Sequence, residues 1–186
     1  MMYEYFDDET MVITRYTESA TKVIIPSEID GLPVTRIGRE AFQGCKALQE
    51  VVIPEGVTEI GGFAFEGCTS LTKIELPHSV TCIEIGAFKD CQALKEIIIP
   101  EGVTEIGRSA FEGCTSLMNA ELPDSLTSIG VDAFAGCKDL QESKIPEGVT
   151  NIGRRAFNPR VTLVVASGSY AEIYAKQNGY LYLSQW

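Results

Sequence analysis

The chain is poor in histidine, tryptophan and positive charge, and each shortage rules something out. With His78 as the only histidine, a serine or cysteine nucleophile has no positioned base, and enzymatic catalysis is not expected. Lysine and arginine number 15 against 26 acidic residues, a net charge of −11. Such a surface repels phosphate backbones and anionic lipid heads, which argues against nucleic acid and membrane partners. No apolar run approaches the ~20 residues of a membrane span. The opening MMYEYFDDET lacks the basic start and apolar stretch of a signal peptide, so export would require that such a segment has been removed from this chain. The six cysteines include no CxxC pair and the carboxylates no calcium loop, so neither metal nor cofactor is expected. Tyrosine is missing between residues 17 and 169, which leaves the middle without the exposed aromatic faces that sugar stacking uses.

What the chain has instead is repetition. The stretch Leu94 to Leu117, LKEIIIPEGVTEIGRSAFEGCTSL, recurs through most of the sequence. Phe42, Phe65, Phe88, Phe111, Phe134 and Phe157 stand 23 residues apart, and Pro54, Pro77, Pro100, Pro123 and Pro146 keep the same step. Cys45, Cys68, Cys91, Cys114 and Cys137 do so too, as do Leu48, Leu71, Leu94, Leu117 and Leu140. This period and this spacing of leucine and isoleucine mark a leucine-rich solenoid, in which each repeat buries its apolar face against its neighbours.

Within a unit, strand alternation points Leu94, Ile97 and Ile99 inward and Glu96 and Ile98 outward. Pro100 ends this strand, Val103 and Ile106 bury a second extended segment, and Arg108 to Phe111 is expected to form a short helical or 3₁₀ turn. Six to seven rungs of parallel strands would make a slab about 30 Å long with one main sheet and one narrower sheet. Tyr3 to Phe6 and Thr10 to Tyr16, separated by Asp7-Asp8-Glu9, predict a hairpin whose Tyr3, Tyr5, Phe6 and Tyr16 cover the first rung. That rung carries five extra residues within Ser27 to Pro33, with Asp30-Gly31 as the turn. At the other end, Ser169 and Glu172 have capping-box spacing and Asn178-Gly179 is a stop, predicting a helix over 170–178 with Tyr170, Ile173 and Tyr174 on one face. A last strand near Tyr180 to Leu183 would follow.

The pattern LxxIxIPxxVTxIGxxAFxGCxxL resembles the BspA-like class of leucine-rich repeats, including the longer first repeat IPSEIDGLPVTRIGREAF and the terminal GSYAEIYAKQNG. The resemblance implies a β-rich α/β solenoid, a right-handed leucine-rich-repeat superhelix of 23-residue repeats with an N-terminal β-hairpin cap and a C-terminal helix cap. We divide it as one domain over 1–186, with the first cap at 1–19, repeats at 20–165 and the second cap at 166–186. It also implies a bacterial-type surface or secreted protein engaged in adhesion or protein binding, with no catalytic residues; residence in the cytoplasm stays open because this chain shows no signal peptide.

Several columns carry expectations of their own. The five periodic cysteines form an internal stack of small apolar fillers, whereas Cys82, in a column with Arg36, Glu59, Glu105, Ser128 and Asn151, is exposed. His78 sits at a solvated corner with Glu55, Glu101, Asp124 and Glu147. Glu84 replaces the glycine found at Gly38, Gly61, Gly107, Gly130 and Gly153; if that position needs positive φ it costs about 1 kcal/mol, unless Gly86 takes up the bend. The inner column Val51, Ile74, Ile97 shrinks to Ala120 and Ser143, predicting looser packing toward the carboxyl end. A longer period of 46 also shows: Pro54-Glu55-Gly56, Pro100-Glu101-Gly102 and Pro146-Glu147-Gly148 alternate with Pro77-His78-Ser79 and Pro123-Asp124-Ser125, as duplication of repeat pairs would produce.

Outward positions of the broad sheet carry what is left for binding: Glu50, Val52, Lys73, Glu75, Glu96, Ile98, Asn119 and Glu121, followed by Glu142 and Lys144. A mainly acidic face with Val52 and Ile98 as apolar points suits a protein partner of basic character; the family resemblance implies that such a partner is of host or cell-envelope origin. The expectation is therefore a non-enzymatic interaction or adhesion module binding through the concave sheet. A structural spacer with no dedicated site and a carbohydrate-binding module are the alternatives.

Overall fold

The computed structural model describes residues 1–7 and 9–185; Asp8 of the acidic turn lies outside the described residues. The first hairpin joins β1 (Met2–Tyr5) to β2 (Met11–Arg15) in antiparallel register. Its turn is held by Asp7, whose Oδ1 accepts the Glu9 N–H and the Thr10 hydroxyl, both at 2.9 Å. β3 (Lys22–Ile24) starts the first rung, and β4 (Glu28–Ile29) folds back on β5 (Leu32–Ile37). Asp30 and Gly31 between them have φ of 52° and 82°, the paired positive φ of a two-residue hairpin, so the five extra residues form a small outlying ribbon.

Regular rungs follow, each with a three-residue strand and then a two-residue one. They are β6 (Glu50–Val52) with β7 (Glu59–Ile60), β8 (Lys73–Glu75) with β9 (Cys82–Ile83), β10 (Glu96–Ile98) with β11 (Glu105–Ile106), β12 (Asn119–Glu121) with β13 (Ser128–Ile129), and β14 (Glu142–Lys144) with β15 (Asn151–Ile152). β16 (Thr162–Ala166), helix α1 (Tyr170–Asn178) and β17 (Tyr182–Gln185) complete the chain. β17 pairs parallel to β16, so the final strand extends the broad side as a further rung and the solenoid is longer than six to seven turns.

The two sides differ. The narrow sheet runs unbroken through β1-β2-β5-β7-β9-β11-β13-β15, whereas the broad side is three separate sheets, β3-β6-β8, β10-β12 and β14-β16-β17. The expected main sheet is thus the interrupted one.

Between the sheets a third column fills the core. The six periodic phenylalanines stack with centroids 5.0 to 5.4 Å apart and planes within 11° of parallel, and Tyr16 extends the stack at 5.3 Å from Phe42. Each such contact adds about 0.5–1.5 kcal/mol beyond area burial. The segment carrying them is a chain of turns in which Ala110, Glu112, Cys114 and Leu117 each donate to the carbonyl three residues back, and it is not a helix. Between rungs Phe111 N donates to Ala133 O at 2.8 Å.

The buried cysteines do more than fill space. Cys68, Cys91, Cys114 and Cys137 donate their thiols to the carbonyls of Phe42, Phe65, Phe88 and Phe111 at 3.1 to 3.2 Å, tying each turn to the preceding rung. Cys45 is half-buried and reaches Tyr16 O at 3.7 Å, and Cys82 is exposed as expected. At the end of the series the Tyr180 hydroxyl takes over, donating to Phe157 O at 2.9 Å.

Other expectations need correction. Of the four aromatics assigned to cover the first rung only Tyr16 is buried; Tyr3, Tyr5 and Phe6 are exposed, and Met11 and Ile13 of β2 do the covering. Phe6 instead lies 3.8 Å from the Arg36 guanidinium. In α1 the cap is as expected, with Ser169 Oγ accepting Glu172 N–H at 3.2 Å and Gly179 at φ 73°. The buried face, however, is Ala171, Tyr174 and Ala175, while Tyr170 and Ile173 face solvent.

The glycine column replaced by Glu84 does not have positive φ. It exists for close approach: a Cβ on Gly107 would stand 2.5 Å from the Glu84 carbonyl carbon, and one on Gly61 2.7 Å from Ile37 O. Glu84 fits because the rung before it carries Gly62, whose N–H donates to Glu84 Oε2 at 2.6 Å. The positive φ falls two residues later, at Glu40, Phe63, Gly86, Ser109, Asp132 and Arg155 alike. Gly86 therefore takes up no special bend; it is the glycine of this column because a Cβ there would strike the Phe63 ring at 2.4 Å.

Candidate partner-binding face

The broad side places all eight predicted contact residues on one surface. Glu50 pairs in register with Lys73 and Val52 with Glu75; Glu96 pairs with Asn119 and Ile98 with Glu121. The alternating residues Val51, Ile74 and Ile97 are buried beneath them. Glu50 is half-buried and the other seven are exposed.

Charge divides this surface. In the first sheet Lys22 Nζ lies 3.1 Å from Glu50, and Lys73 Nζ lies 3.2 Å from Glu75 and 4.0 Å from Glu50. The hydrogen bond to Glu75 and the charges of Glu75 and Glu50 raise the Lys73 pKa. Further along, Glu96, Asp139 and Glu142 have no ion pair among the described residues, and Glu121 has only the Asn119 amide, at 3.3 Å.

Two seams cross the face, where β8 does not pair with β10 and β12 does not pair with β14. A groove of about 340 Å³ opens at the first, lined by Ile74, Leu76, Glu96 and Ile98 among others. A groove of about 840 Å³ lies at the second, lined by Met118, Ala120, Leu122 and Glu142 among others. Each seam follows a rung that ends in leucine: Leu76 and Leu122 are only partly buried, whereas Ile53, Ile99 and Ile145 at the equivalent position are buried. Ile25, Ile99 and Ile145 donate N–H across to Val52, Glu121 and Val164, whereas Leu76, Leu122 and also Ile53 form no such bond. The shrunken inner column coincides with the second seam, where Ala120 and Ser143 are buried and Ser143 Oγ has no hydrogen-bond partner.

The corners explain the rhythm. Ser79 Oγ donates to Val57 O at 2.7 Å and accepts Gly56 N–H at 3.1 Å; Ser125 does the same with Val103 and Gly102, at 2.9 and 3.1 Å. Glu55 accepts His78 N–H and Glu101 accepts Asp124 N–H, so His78 serves the corner through its backbone. These clasps close one rung onto the next within a pair, and the seams lie between pairs. The 46-residue alternation in the sequence is therefore a two-rung building block in the structure. The paired substitutions at Ile99/Leu122 and Gly102/Ser125 were the signal from which the seams could have been read.

On the opposite surface, Arg36 Nη1 bonds Glu59 at 2.6 Å and Cys82 stands exposed beside them. Partial burial, then Glu59, Glu84 and Glu105, push the Cys82 thiol pKa up, the reverse of what an activated nucleophile needs. No helix among the described residues is long and apolar enough to cross a membrane.

Parallel strands stacked at a 23-residue period around an inner phenylalanine and cysteine column define a leucine-rich-repeat solenoid. The chain belongs to the BspA type leucine rich repeat family, whose model matches residues 35–164 in six copies. It is similar to a leucine-rich-repeat protein of T. pallidum, with 30% identity over 98% of this chain and 94% of that one and a TM-score of 0.78. A leucine rich cell surface protein of Faecalibacterium prausnitzii shares 31% identity over 88% of this chain at a TM-score of 0.72. A leucine-rich-repeat protein of Bacteroides ovatus shares 32% over 88%, at 0.64. The chain spans 52% and 53% of the length of these last two. No curated protein matches it.

Proposed function

We propose that this chain is a non-enzymatic protein-binding module, carried on a cell surface or secreted, that takes its partner on the broad, concave side. The observation that carries this is a line of exposed apolar side chains among carboxylates: Ile24, Val52 and Ile98 are 66%, 39% and 61% exposed at equivalent outward positions. Isolated apolar points on a charged sheet supply contact area, and the surrounding charges supply selection and steering. The F. prausnitzii protein, described as a cell surface protein, supports the location. The exposed tyrosines, Tyr3, Tyr5 and Tyr170, lie at the two ends of the solenoid and none is among the outward positions of this face, which favours a protein over a glycan. Capture from cell-envelope and host-protein fractions, with wild type beside Val52→Ala/Ile98→Ala, tests the reading. A partner recovered by the wild type should be lost from the double variant, and equal recovery would overturn it.

A further inference from the structure

We infer that the anchoring point on the broad face is the seam between β12 and β14, and that it receives an arginine-bearing extended segment of a protein partner. This rests on the broad-face reading and adds position and chemistry to it. Four observations converge.

First, no main-chain hydrogen bond joins Asn119–Glu121 to Glu142–Lys144, although the flanking strands pair with their outer neighbours, so both edges offer N–H and C=O groups to the groove. Second, the groove of about 840 Å³ has an apolar part made by Ala120, Leu122 and the exposed Met118. Third, Glu121, Asp139 and Glu142 line it without an ion pair among the described residues, in a chain of net charge −11. The first sheet is the contrast, since Lys22 and Lys73 there already engage Glu50 and Glu75. Fourth, the column behind the seam is small, and Ser143, a residue 3% exposed, has a buried hydroxyl without a partner, so the core does not draw the two strands together.

A guanidinium meets these conditions together. Its planar fork donates to carboxylates and main-chain carbonyls at once, and its aliphatic stem lies on apolar surface. Lys138 and Lys144 on the same lining offset part of the acidity. The site therefore favours one arginine set beside carboxylates over a run of positive charges.

The probe is a displayed library of random short peptides selected on the intact chain. Enriched peptides should share an arginine, and their binding should weaken about tenfold on the isosteric variant Glu121→Gln/Glu142→Gln, the effect of losing one charge-assisted contact. Binding should also fall on Ala120→Ile/Ser143→Val, which refills the inner column; the carboxamide variant keeps the test decisive if that repacked chain misfolds. Selection of peptides without arginine, equal binding to the carboxamide variant, or no selection at all would overturn the inference. Peptides lost on Val52→Ala/Ile98→Ala but kept on the seam variants would leave the broad-face reading standing and sink only the seam. Peptides indifferent to every one of these variants would sink both.

Discussion

The narrow and broad sides are built from the same repeats, yet one is a continuous ladder and the other is cut twice. On the narrow side glycine brings backbones together, and Ile37, Ile60, Ile83, Ile106, Ile129 and Ile152 pair from rung to rung without interruption. On the broad side isoleucine alternates with leucine, and pairing fails after Leu76 and Leu122. Continuity on one flank holds successive rungs together where the other flank leaves them unpaired.

The strongest way to break this comparison is to cut the continuous part. Phe111→Ala removes the middle of the aromatic stack between Phe88 and Phe134, at 5.3 and 5.2 Å, and should cost about 3–5 kcal/mol in denaturant unfolding. A loss below about 1 kcal/mol would mean that the stack is not what joins the rungs.

Alkali should attack the same interior through its thiols. Burial pushes Cys68 and Cys137 up to about 12, and Cys91 and Cys114 well above the usual thiol value. In the unfolded chain these thiols ionise near pH ~8.5. Because their folded pKa is raised, their contribution is fully present below that pH and is lost as pH rises from there toward the folded values. The decline should approach about 1 kcal/mol per pH unit for each thiol that stays protonated in the fold. Cys114→Ser keeps a donor for Phe88 O and removes that thiol's ionisation, so its stability against pH should fall less steeply than the wild type; identical slopes would refute the assignment.

The smallest effect sharpens the pairing of rungs. Ser125→Ala opens one corner clasp and should cost about 1 kcal/mol. Hydrogen exchange should then show faster opening between β10 and β12, while the amides facing the β12–β14 seam, already unpaired, stay unchanged and exchange faster than those of β11 and β13. Uniform protection across both sheets would remove the distinction between the sides.

Much of the fold was legible because its determinants repeat. Phenylalanine, cysteine and leucine at a fixed step can only stack, and a capping box followed by Asn178-Gly179 specifies a helix locally. What escaped was set between rungs. The close approach at Gly107, the thiol-to-carbonyl bonds and the left-handed column through Ser109 depend on a neighbour 22 to 26 residues away, and composition is silent on that. At Ser109, φ is 56° without glycine, so sequence offered the wrong position for the bend. Alternation alone put the eight candidate residues on the outward side of the broad strands, as the register has them. The seams between them were not legible, because the difference between isoleucine and leucine passes as conservative until a neighbouring strand fails to pair.

The corner clasps also bear on how such a protein changes length. Gain or loss of 46 residues between one seam and the next leaves each serine opposite the glycine and valine it bonds. A step of 23 would set two glycine corners or two serine corners face to face and strand their partners. Copy number in this solenoid should therefore change by two turns at a time, and unequal crossing-over at a seam is the event that leaves no scar.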